Sequence, residues 1–92
     1  MPDLQEKREK VARRLESMHR EALAVLAHSD VPEELKPKIA RLAQQSLKLA
    51  QELNELAATE QPSQSLKQRI KELLTWFALL IPFVKYLYED RS

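Results

Sequence analysis

The chain contains no glycine and no cysteine. Glycine is the residue that reaches positive φ at no steric cost. Its absence excludes Gly-rich phosphate loops and dinucleotide-binding turns, and it disfavours tight hairpins. The absence of cysteine removes disulfides, thiolate nucleophiles and cysteine-ligated zinc. Small secreted domains are often stapled by disulfides, and the opening MPDLQEKREK has no apolar core of a signal peptide. A cytoplasmic location is therefore the default expectation. Charge of either sign is also missing as a bias: 15 basic residues face 14 acidic ones, for a net charge of +1. A near-neutral chain sets up no global field to steer nucleic acid or an acidic substrate.

A long hydrophobic run is lacking too. The uncharged stretch from Leu73 to Val84 is shorter than the roughly 20 apolar residues that a spanning helix needs, and it is followed by Lys85, Glu89, Asp90 and Arg91. A transmembrane span is excluded on this ground.

What remains is a helical composition. Hydrophobic residues make up 43% and charged residues 32% of 92 residues, enough for one domain with a modest core. Three periodic stretches stand out. Leu4, Val11, Leu15, Met18, Ala22, Val25 and Leu26 share one face of a first helix over about 4–28, with Asp3 and Glu6 placed as a capping box. Asp30 and Glu33 read as a second capping box, and Pro37 pushes the start of the main second helix to about 37–58, behind a capping turn at 31–36.

The second helix buries Ile39, Leu42, Leu49, Leu53 and Leu56, with the small residues Ala43, Ser46, Ala50 and Ala57 between them. Small residues admit a close neighbour, and the bulky third helix, Phe77 above all, is the expected one. Pro62 closes this helix, and Ser63 or Ser65 caps a third over 64–89. Short connections make successive helices antiparallel. The expected fold is an all-α, up-down-up three-helix bundle. Pro82 lies inside the third helix, where it removes the partner of the Ala78 carbonyl, so a kink or break is expected there.

Candidates for chemistry are few. His19 and His28 lie nine positions apart on one helix, about 13 Å along its axis. They cannot share a metal, and each reads as a surface or boundary histidine. No nucleophile, base and orienting group converge, and a bundle this small leaves little room for a substrate cavity. The expectation is a non-enzymatic protein without cofactor, metal or small-molecule substrate. The basic cluster Lys7, Arg8, Lys10, Arg13 and Arg14 is diluted by Asp3, Glu6 and Glu9, and no aromatic lies among its bases to stack on a nucleotide. It reads as a solvated face, and nucleic-acid binding is not expected. Ile70-Lys71-Glu72-Leu73-Leu74 resembles a groove-docking helical box, but any amphipathic helix generates that pattern.

The third helix carries the one informative feature. Leu66, Ile70, Leu73, Phe77, Leu80, Ile81, Val84 and Leu87 form its core face. A second apolar row runs through Trp76, Leu79, Phe83 and Tyr86, with coiled-coil spacing. The wide arc that each helix of a three-helix bundle buries covers part of this row and could accommodate Trp76 and Phe83, whereas Leu79 and Tyr86 lie almost opposite the core. The row therefore points to a protein-protein interaction or oligomerisation module, an adaptor that docks another copy, another domain or a separate partner. Two alternatives stand beside it. Trp76, Tyr86 and Tyr88 are side chains that favour membrane interfaces, and a glycine-free bundle also fits an engineered helical protein or binder.

Overall fold

The computed structural model describes residues 4–57 and 59–89, with only the backbone of Leu4. The Asp3 cap, the side chain of Leu4 and the tail charges Asp90 and Arg91 lie outside the described residues. Three α-helices carry the fold: α1 (Leu4–Leu26), α2 (Lys36–Asn54) and α3 (Gln64–Glu89), with a 3-10 turn at Glu33–Leu35. No strand occurs among the described residues.

Each helix end has a local cause. At the end of α1 the His28 N–H donates to the Val25 carbonyl at 3.0 Å, the tightened spacing of a terminating turn. The helix thus stops at Leu26, two residues before the expected His28. Glu33 does not close a capping box on Asp30. The 3-10 turn has no side-chain cap, and the Glu33 carboxylate instead accepts from the Lys36 ammonium at 2.9 Å. Pro37 sits in the first turn of α2, where a missing N–H costs nothing. That is why the helix includes Lys36.

The second helix ends at Asn54, short of the expected Ala58, which lies outside the described residues. Ala57 and Glu60 exchange two bonds there: the Glu60 N–H donates to the Ala57 carbonyl at 2.9 Å, and the Ala57 N–H donates to the Glu60 carboxylate at 3.2 Å. Ser63 begins α3, its hydroxyl accepting from the Leu66 N–H at 3.1 Å. Pro82 does not break the helix. Its ring is exposed, and α3 continues through it to Glu89.

Contacts between the helices fix their directions. The C-terminal half of α1 meets the C-terminal half of α3, where Lys85 donates to Glu21 and the His28 and Tyr88 rings stack at 3.8 Å. The end of α2 meets the start of α3 through Glu52 and Arg69. Helices α1 and α3 are thus parallel and α2 runs against both, as an up-down-up bundle requires. The core is built from Leu15, Met18, Ala22 and Val25 of α1, Ile39, Leu49 and Leu53 of α2, and Leu73, Ile81 and Val84 of α3. Val31, from the connection, is buried at one end.

Two packing expectations are corrected. The close neighbour of α2 is α1, not α3. Ala43, Ser46 and Ala50 are all buried, and His19 of α1 comes near enough to donate from Nδ1 to the Ala43 carbonyl at 2.7 Å. Ala57 lies past the helix and is exposed. Arg8 is buried rather than solvated, its guanidinium Nε and Nη1 included. The third helix packs on the other two far less closely than they pack on each other. The molecule is correspondingly long, 48 × 23 × 18 Å, with a radius of gyration of 14.9 Å, against about 12 Å for a compact domain of this length.

Ile81→Ala should cost about 2–5 kcal/mol of unfolding free energy, as a buried large-to-small change does. Leu79→Ala, two residues away, should change it by less than about 0.5 kcal/mol. Urea titration of both variants checks the assignment of faces, and a comparable loss at Leu79 would place that residue in the core. The bend expected near Pro82 is checked by residual dipolar couplings measured on either side of it. An angle above about 20° is expected, and a straight axis would remove it.

Candidate functional site

The second row of α3 is solvent-exposed along its whole length. Trp76 is 63% exposed, Leu79 64%, Phe83 52% and Tyr86 63%. The structure brings all four together on one side of one helix. Trp76 and Phe83, the two members of the row that the bundle's wide arc could have taken in, lie outside it. The reason is the loose seating of α3: its two neighbours hold each other closely and do not wrap round to this side. Leu80 and Leu87 lie between the row and the core face and are half-buried, so the apolar surface continues from the row toward α2.

On that side lies a feature that the sequence did not reveal. Between α2 and α3 runs an open groove of about 490 Å³. Its floor is Leu42 and Leu49 of α2 with Leu73 and Leu80 of α3, and Trp76 forms a wall. The bundle thus has more room than its size implies, although as an open trough rather than an enclosed cavity. Lys38 and Arg41 stand on the α2 rim, and Arg69 and Glu72 on the α3 rim. A hint was present in the sequence: Lys38, Arg41, Leu42, Gln45 and Leu49 repeat at helical spacing. What decides that they form a rim is how far α3 stands from α2, and spacing does not carry that.

The rim charges differ in their attachments. Arg69 donates two parallel bonds to the Glu52 carboxylate, at 3.0 and 2.7 Å. These bonds hold the Glu52 carboxyl below the ordinary glutamate range and raise the Arg69 guanidinium still further. Gln68 donates to Glu72 at 3.3 Å. Lys38 and Arg41 are exposed and make no ion pair among the described residues.

Comparison with protein-family models, with curated proteins and with solved structures finds no match to this chain. The reading of the site therefore rests on its geometry. The histidines are engaged structurally: His19 bonds to α2, and His28 stacks on Tyr88. No cluster of three or more potential metal ligands occurs among the described residues. No helix among the described residues is long and apolar enough to cross a membrane. The arrangement is an exposed apolar strip beside an apolar trough, with Lys38 and Arg41 along one edge.

The bridges Glu52–Arg69 and Glu21–Lys85 fasten α3 at its two ends. Both are partly exposed, so each contributes on the order of 0.2–1 kcal/mol. A carboxyl lowered in the folded state adds stability at and above its unfolded pKa and loses it as pH falls through the folded one. Glu52→Gln should accordingly be less stable than wild type at neutral pH, and the gap should close as pH falls through about 4.3 and below. The lysine has the opposite sign. Hydrogen bonding to Glu21 raises Lys85, so its contribution is full below about pH 10.4 and is lost only above it. Denaturant titrations of the two proteins across pH check the glutamate effect.

Proposed function

We propose that this chain is a non-enzymatic protein-protein interaction module, of the adaptor or oligomerisation kind, that docks through the apolar second face of α3. The observation that supports this is the joint exposure of Trp76, Leu79, Phe83 and Tyr86. Large aromatic side chains carry about 150–250 Å² each. At these exposures the row presents on the order of 500 Å² of apolar surface. That is in the range of the largest apolar patch on a typical monomer, which is often functional. The row has no role in the core, since α3 has a separate core face ending in Ile81 and Val84. Aromatics so placed are the residue types that dominate binding hot spots.

Attachment to a membrane surface is the second reading, favoured by the exposure of Trp76 and Tyr86 at two positions of one apolar face. It ranks lower because the polar side of α3 is not rich in Lys and Arg, which such helices use against anionic headgroups.

Leu79→Glu combined with Tyr86→Glu tests the main reading. Light scattering behind size exclusion, over a concentration series, should show the wild type gaining mass above 10.7 kDa as its open apolar face self-associates weakly. The double variant should keep its helical circular dichroism and stay monomeric. A double variant that unfolds would mean that the row is core and would overturn the reading.

A further inference from the structure

We propose that the trough between α2 and α3 seats one amphipathic helix of a protein partner, with its apolar side on the trough and on Trp76 and its acidic side against Lys38 and Arg41. This rests on the reading of α3 as a protein-docking face and names the chemistry of what docks there. The trough follows α3 from Arg69 to Leu80, about 16 Å or three helical turns. Its floor offers leucines from two helices, Leu42 and Leu49 of α2 and Leu73 and Leu80 of α3, the kind of apolar surface on which a third helix packs. A helix laid in such a groove is read by anchors at i, i+3, i+4 and i+7. Trp76 joins the trough to the outer row, so one occupant can cover both.

Charge chooses the occupant. Arg69 is committed to Glu52, and Glu72 accepts from Gln68. The unpaired rim charges are Lys38 and Arg41, one turn apart on α2. They call for carboxylates on the α2 side of the incoming helix, and Glu72 on the opposite wall sets that orientation by repelling the reverse one. A second copy of this chain answers less well. Its available row runs from Trp76 to Tyr86 with one carboxylate, Glu72, one turn before it and already accepting from Gln68, so a second copy offers a single engaged acid to the two cations Lys38 and Arg41. The row alone also presents on the order of 500 Å², short of the roughly 800 Å² per partner of a stable interface.

Trp76 is the single tryptophan of the chain and a wall of the site, so its emission reports occupancy. Two synthetic helical peptides of about 14 residues, alike in their leucine anchors, serve as probes, one flanked by Glu and the other by Lys. Binding of the Glu-flanked peptide should shift Trp76 emission to the blue, and its affinity should exceed that of the Lys-flanked peptide about tenfold. Lys38→Glu with Arg41→Glu should invert the order. Both positions are exposed, and an unchanged circular dichroism spectrum and urea midpoint confirm that this variant folds.

Equal affinity for the two peptides, or a preference unmoved by charge reversal, overturns this inference and leaves the docking reading standing. Binding of neither peptide also overturns it. A tight wild-type dimer abolished by the Leu79 and Tyr86 changes would then keep the docking reading with a second copy as occupant. A blue shift with vesicles of phosphatidylcholine and phosphatidylglycerol, and with neither peptide, would remove both.

Discussion

The close approach of α1 and α2 governs the rest of the structure. Ala43, Ser46 and Ala50 present almost no side chain to a neighbour, and all are buried. His19 bonds directly to the backbone of α2 across the seam, and the Ser46 hydroxyl returns its proton to the Leu42 carbonyl at 2.7 Å. A polar side chain at the centre of the domain is thereby satisfied without water. Once the two helices are drawn this close, their combined outer surface is narrow. A third helix of 26 residues lies against it along one stripe and keeps its other side.

The edge of that stripe is where apolar surface stays exposed. Leu66, Leu73, Ile81 and Val84 are buried, and Ile70, Phe77 and Leu80 are partly so. The ion pairs at the two ends locate α3 without wrapping it, since partly exposed bridges add little energy. What they add is register. With Arg69 held at Glu52 and Lys85 held at Glu21, the aromatic row and the leucine trough keep a fixed relation to the cations of α2. A surface set out on rigid helices binds at a lower entropic cost than one on loops.

Glycine's absence has its counterpart in the backbone. No residue among those described takes a positive φ, and every connection is made by ordinary turns. Pro37 and Pro62 fall where a missing N–H is harmless, in a first turn and in a connection. Pro82 is the exception. It sits within α3, exposed on the solvent side, where the carbonyl that it orphans can turn to water. Pro82 and the absence of glycine thus bear on different questions, one on the shape of α3 and the other on the kinds of loop that the chain can make.

The helical class, the number of helices and their approximate limits were legible in the sequence because they depend on period and punctuation, which are local. The second row of α3 was legible for the same reason: Trp76, Leu79, Phe83 and Tyr86 share a side whatever surrounds them. Which helix would fill the small-residue face of α2 was not legible. Both α1 and α3 carry apolar stripes of suitable length, and the choice turns on how the three surfaces interlock. The exposure of Trp76 and Phe83 followed from that choice. So did the trough, whose floor residues Leu42 and Leu49 meet Leu73 and Leu80 only through the packing of two helices. Period alone determined which residues share a face. Only the tertiary structure, by setting the spacing between helices, decided which faces are covered and which stay exposed.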